Sequence, residues 1–102
     1  MEELSLEITW NDVKEKDKET YVLVDIREYE HSALGMVPGA VAISFIEDVN
    51  KLFTLPKEKN IYVYCHKGEL SVQAQELLQD AGYKAYSIKG GYYAYLETML
   101  KD

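Results

Sequence analysis

The chain predicts an α/β fold, with a central and mostly parallel sheet of about five strands and helices on both faces. Three observations lead there. Short runs of strand formers alternate along the chain with stretches of helical periodicity, an order that yields parallel strands joined by crossovers. The run Tyr21-Val22-Leu23-Val24 is apolar without alternation, as expected of a central strand covered on both faces. A length of 102 residues suffices for one hydrophobic core and not two, so residues 1–102 are expected to form a single domain.

Leu4, Leu6 and Ile8 alternate with Ser5 and Glu7, the period of an edge strand with one buried face. Thr9 reads as a helix N-cap, Asp12 completes a capping box, and Ile8 and Val13 stand at hydrophobic-staple spacing. The short helix turns Trp10 and Val13 inward, and the charged run Lys14 to Glu19 is a solvated face. After the central strand, Glu30 to Ala33 makes a helical turn and Gly35-Met36-Val37-Pro38-Gly39-Ala40 prescribes a bend. Val41-Ala42-Ile43 follows as a short buried strand. Ile46, Val49, Leu52 and Phe53 predict an amphipathic helix from about Phe45 to Phe53, ended by Leu55-Pro56.

Lys57 to Asn60 is a polar turn into the strand Ile61 to Tyr64. Leu70, Ala74, Leu77, Leu78 and Ala81 then fall on one side of a helix, with Ser71 as its cap and Gly82 as its terminator. Tyr83 to Ile88 is a further strand and Gly90-Gly91 a turn. Tyr92 to Leu100 closes the chain as a helix with Tyr92, Leu96, Met99 and Leu100 available for packing, its tyrosines 92, 93 and 95 forming wall and core.

Charge and cysteine content narrow the function. A net charge of −7 speaks against nucleic acid or an anionic membrane as the main partner, since both attract basic surfaces. One cysteine permits no internal disulfide and no ordinary all-protein zinc site. Met1-Glu2-Glu3 is acidic where a signal peptide is basic, and no apolar run is long enough to span a membrane. The expected location is cytoplasmic, where a free thiol persists.

That thiol, Cys65, stands where a strand becomes a helix, ahead of His66-Lys67-Gly68-Glu69-Leu70-Ser71. At a helix start the first backbone N–H groups lack intrahelical partners and the dipole is positive, so an anion, including a thiolate, is favoured. Gly68 lets successive N–H groups turn inward as a nest. The expectation is a reactive nucleophile in an electropositive, partly exposed setting; the alternative is a small buried hydrophobe. Asp25 and Arg27 lie at the carboxyl edge of the central strand, where open α/β sheets gather their sites. They read equally as a local cap and a surface ion pair.

Four segments together resemble the single-domain rhodanese-like sulfurtransferases, over nearly the whole chain. They are Val24-Asp25-Ile26-Arg27-Glu28, Gly35-Met36-Val37-Pro38-Gly39-Ala40, the loop Cys65 through Leu70, and Gly90-Gly91 followed by an aromatic residue and Ala94. The resemblance implies a single rhodanese-like domain that works without a cofactor or metal. Cys65 would attack the outer sulfur of a donor such as thiosulfate or polysulfide and carry it as a persulfide to cyanide, a thiol or a sulfur-acceptor protein. The amides of Lys67, Gly68, Glu69, Leu70 and Ser71 would hold the anionic sulfur, and Lys67 and Arg27 the donor's oxygens. His66 is either a second donor to the substrate or simply an exposed loop residue, and Asp25 is a supporting residue. Met36 replaces the family's usual histidine, and Leu70 stands where many relatives carry arginine, beside the anionic Glu69, which predicts weak thiosulfate affinity.

Two other functions compete. A cysteine phosphatase or arsenate reductase has a similar loop but needs arginine where this chain has Ser71, and without that fork a tetrahedral oxyanion has no bidentate clamp. A persulfide-carrier or protein-binding module without turnover would keep the same cysteine.

Overall fold

The computed structural model describes residues 7–100. Among them, Tyr21–Asp25 (β1), Val41–Ala42 (β2), Asn60–Tyr64 (β3) and Lys84–Ser87 (β4) form an all-parallel sheet in the order β2-β1-β3-β4. Among the described residues the sheet therefore has four strands, against the expected five or so. Leu4 and Leu6 of the expected N-terminal strand lie outside the described residues, and Ile8 makes only an isolated parallel bridge to Ile88.

The α-helices are Trp10–Lys14 (α1), Tyr29–Ser32 (α2), Glu69–Asp80 (α3) and Gly91–Leu100 (α4), with 3-10 turns at Lys18–Thr20 and Val49–Thr54. The pleat sends alternate residues of β1 and β3 to opposite faces. Val24, Ile61, Val63 and Cys65 pack with Leu52, Ala74 and Leu78, so α3 and the second 3-10 turn cover one face. Leu23, Tyr62 and Tyr64 pack with Trp10, Val13 and Ile88, and with Tyr92, Ala94 and Tyr95 at the edge of that cluster. Thus α1 and α4 cover the other. Helices on both faces and a parallel central β1 agree with the expectation.

The local signals were mostly sound. Thr9 and Asp12 exchange hydrogen bonds as a capping box, 3.1 Å from Asp12 N–H to Thr9 Oγ1 and 2.9 Å from Thr9 N–H to Asp12 Oδ2. At the end of α3 the Gly82 N–H donates to Gln79 O and the Tyr83 N–H to Leu78 O, a Schellman closure.

Three expectations fail for tertiary reasons. The helix from Phe45 to Phe53 does not form, because the Phe45 N–H donates to Ile26 O as an extension of the sheet; only the 3-10 turn Val49–Thr54 remains, with Leu52 buried and Ile46 and Phe53 exposed. Val41 is exposed because β2 is an edge strand. On α4, Leu96, Met99 and Leu100 are 38%, 59% and 85% exposed, since the helix meets the sheet layer through Tyr92, stacked on Tyr64, and Tyr95, tilted against Trp10. No helix among the described residues is long and apolar enough to cross a membrane.

Candidate functional site

The chain leaves β1 toward β2 on one side and leaves β3 toward β4 on the other. The crevice between the carboxyl ends of β1 and β3 is thus the topological switch point, where open α/β sheets bind ligands. Cys65 follows β3 directly into this crevice.

The thiol has two surroundings. On the sheet side it belongs to the apolar cluster of Val63, Ala74 and Leu78, and the residue is only 4% exposed, less than the partly exposed setting expected. On the loop side the Gly68 and Ser71 N–H groups donate to Sγ at 3.2 and 3.3 Å. Gly68, not Ser71, is the N-cap of α3, with φ 105° and ψ 1° in the left-handed region; a Cβ there would also lie 3.2 Å from Gly90 N. Glu69 and Leu70 are then the first two residues of α3, whose amides have no intrahelical acceptor.

Ser71 is fully buried and takes a different part from the expected cap. Its Oγ lies 3.6 Å from Cys65 Sγ and 2.6 Å from Ser87 Oγ, while Gln75 Oε1 accepts from the Ser87 N–H at 2.6 Å. A chain of buried polar groups therefore supports the sulfur from behind. Ser71 also occupies the position where a phosphatase loop needs arginine, and it points inward.

The loop is gripped from outside by α4. The Tyr92 and Tyr93 N–H groups donate to the carbonyls of Cys65 and His66 at 2.8 and 3.0 Å. With its carbonyls held outward, the loop turns its amides toward the sulfur. This grip requires close backbone approach at Gly91, where a Cβ would stand 2.5 Å from Cys65 O and 2.8 Å from His66 C and O.

The hollow over the thiol, about 530 Å³, is lined by Cys65, His66, Lys67, Glu69 and Leu70 together with His31 and Tyr93. The exposed Lys67 sets Nζ 5.7 Å from the Tyr93 ring centroid. His66 is half-buried, with Nε2 3.3 Å from His31 Nδ1. Burial foremost, then the charges of Arg27 and His31, holds its pKa below the ordinary histidine value.

Arg27 and Asp25 are placed otherwise than as a surface pair. Their side chains are 4% and 0% exposed, with Nη2 2.7 Å from Oδ2. Arg27 Nε and its backbone N–H also donate to Asp25, and Nη2 donates to Gly35 O. The guanidinium carbon sits 4.2 Å above the Tyr92 ring. Tyr64 completes the cluster: its hydroxyl donates to Asp25 Oδ2 at 2.9 Å and accepts from the Val37 N–H at 3.0 Å. Burial pushes this phenol's pKa far up, so it stays a neutral donor. The pair thus ties the bend at 35–37 to the ends of β1 and β3. Arg27 does not line the hollow over Cys65; it borders an adjoining depression with His31, His66 and Tyr92.

Sequence reasoning missed His31, Tyr93, Ser87, Gln75 and the gripping role of Gly91. The Gly90-Gly91 pair was the one visible signal; the others lie 12 to 35 positions from their partners, or belong to a helix face read as packing. Among the described residues no cluster of three or more His, Cys, Asp or Glu could hold a metal ion.

The sequence matches the rhodanese-like domain family over residues 9–98. It is 37% identical over 92 residues to YtwF of Bacillus subtilis, a protein with a provisional sulfurtransferase name, covering 87% of this chain and 88% of that one. To a tRNA sulfurtransferase of Desulfurococcus amylolyticus it is 34% identical over 70 residues, 69% of this chain but only 14% of that much longer protein. A rhodanese-related protein of Thermoplasma volcanium superposes with a TM-score of 0.81 at 26% identity, covering 90% of this chain and 91% of the other.

Proposed function

The chain belongs to the rhodanese-like domain family, and from that membership and the geometry of its loop we propose a sulfurtransferase that carries sulfane sulfur as a persulfide on Cys65. The observation that carries this reading is the pair of amides, from Gly68 and Ser71, aimed at a sulfur at the floor of a hollow. Two such donors stabilise negative charge on the sulfur of a residue only 4% exposed.

In the first half-reaction the Cys65 thiolate attacks the outer sulfur of thiosulfate. The new Sγ–S bond forms as the donor's S–S bond breaks, and sulfite leaves with the electron pair. In the second half, an acceptor nucleophile attacks the outer sulfur and the electron pair returns to Sγ. Covalent catalysis in two halves predicts ping-pong kinetics. Lys67, exposed on the rim, is the cation for the donor's oxygens; Arg27, already engaged by Asp25 and Gly35, is a positioning residue. Glu69 on the same rim opposes a dianion, which favours weak thiosulfate affinity or a polysulfide donor.

Intact mass after incubation with thiosulfate or polysulfide is the test. The wild type should gain one sulfur atom and Cys65→Ser none; a Cys65→Ser protein that loads equally, or a wild type that never loads, ends the proposal. A second reading, relay of the sulfur to a protein partner, uses the same cysteine and the same cradle of amides. Cyanide turnover measured against transfer from the loaded domain to a protein thiol separates relay from free enzyme.

A further inference from the structure

Beside the reacting thiol lies a feature the two half-reactions above leave unused. His31, from α2, and His66, from the loop, are 35 positions apart in the chain, yet their facing nitrogens approach to 3.3 Å and their ring centroids to 4.8 Å. Both rings line the hollow over Cys65. Two imidazoles at this distance share one proton between them, so one is donor and the other acceptor.

The second half-reaction needs such a device when the acceptor is a thiol. A cysteine thiol ionises near 8.5, so at neutral pH it arrives protonated, whereas only the thiolate attacks sulfur. The cradle amides stabilise the sulfur of Cys65 but remove no proton. We infer that the His31–His66 pair is the general base that deprotonates the acceptor thiol at the mouth of the site. This rests on the persulfide reading above.

The atoms balance as a relay. The acceptor S–H gives its proton to His66 Nδ1, and the proton on His66 Nε2 passes to His31 Nδ1. The acceptor thiolate then forms a bond to the outer sulfur, the Sγ–S bond breaks with its pair returning to Cys65, and the proton leaves from His31 to solvent. No oxidant or reductant is consumed.

The charges around the pair suit that direction of travel. Glu28 Oε1 and Glu30 Oε2 stand 3.7 and 3.9 Å from the two nitrogens of His31, where an imidazolium finds counter-charge. On the inner side, burial and then the Arg27 and His31 charges keep His66 neutral, against the weaker pull of Asp25 and Glu28. Lys67 and Glu69 border the hollow from the loop and from α3, and Tyr93 from α4, with its ring centroid 6.2 Å from that of His66.

The test uses protein loaded with polysulfide, freed of donor, and discharged in a single turnover by two acceptors at pH 7. One is an alkyl thiol, mostly protonated; the other is a nitro-substituted aryl thiol, ionised at this pH. General-base catalysis is worth about 10² or more. Discharge of His31→Gln and His66→Gln by the alkyl thiol should therefore fall on the order of a hundredfold, and discharge by the aryl thiolate should hold. In the wild type, alkyl-thiol discharge should also fall less steeply from about pH 8 to about pH 6.5 than thiol ionisation alone requires, because the base acts on the protonated thiol, and this shallow limb should steepen to the thiol's own ionisation in either variant. Equal losses with both acceptors, or no loss with the alkyl thiol, overturn the assignment while leaving the persulfide intact. A wild type that gains no sulfur overturns both.

Discussion

Replacing Asp25 by alanine isolates the buried cluster that holds the two strand ends together. The carboxylate accepts from Arg27 Nη2 at 2.7 Å, Nε at 3.0 Å, the Arg27 backbone N–H at 2.9 Å and the Tyr64 hydroxyl at 2.9 Å. Its removal leaves a guanidinium with a 4% exposed side chain without its counter-ion. Breaking a buried ion pair from one side costs about 3–5 kcal/mol, and an orphaned Tyr64 hydroxyl adds about 1 kcal/mol or more. Against a total stability of about 5–15 kcal/mol this is a large fraction, and at about 4 °C or more per kcal/mol for a domain of this size Tm should fall by at least about 12 °C. Urea denaturation followed by fluorescence of the single tryptophan, Trp10, reads the change; its ring lies 5.4 Å from Tyr64. Asp25→Leu with Arg27→Met removes both charges together and should cost clearly less than Asp25→Ala alone, because no charge remains buried and unpaired. A single mutant that loses less than about 1 kcal/mol, or a double mutant that loses the sum of the two singles, refutes a buried, mutually dependent pair. A double mutant that still gains sulfur removes Arg27 from donor binding.

Gly91→Ala should slow sulfur loading and destabilise the fold by about 1–3 kcal/mol, because its methyl would meet backbone atoms of Cys65 and His66 that cannot swing aside. Gly39→Ala, with nothing within 4 Å of its Cβ, is the control, and loading of Gly91→Ala at the wild-type rate counts against the grip of α4 on the loop. Lys67→Ala should raise the KM for thiosulfate roughly tenfold, the loss of one charge-assisted contact of about 1.4 kcal/mol, and affect a neutral sulfane donor much less; equal effects remove Lys67 from the site. Since burial and then the Arg27 and His31 charges depress the His66 pKa, the unfolded chain binds this proton at higher pH than the folded one. Stability should therefore fall as pH drops through about 6.5, and the difference between wild type and His66→Gln, measured as urea midpoints from pH 7.5 to 5.5, should shrink toward acid. A constant difference contradicts the shift.

Local signals specified much of this protein because they act over a few residues. The Thr9 box, the apolar β1 run, the Gly82 terminator and the strand-to-helix place of Cys65 each follow from nearest-neighbour sterics and hydrogen bonding. Order along the chain then yields a parallel α/β sheet with the thiol at its carboxyl edge. Where tertiary contacts competed, local reading lost: Phe45 joined the sheet in place of a helix, and Ser71 turned from cap to partner of the sulfur once Gly68 took the left-handed start of α3.

What only the tertiary structure decided is which distant groups meet at the thiol. Neither histidine carries any mark of the other, and nothing near Ser87 announces Ser71, because such pairs arise when strands and helices close in three dimensions. Arg27 illustrates the same division. Its sequence position announced a site, but whether its charge faces substrate or Asp25 depended on burial, and a guanidinium cut off from water needs the carboxylate beside it.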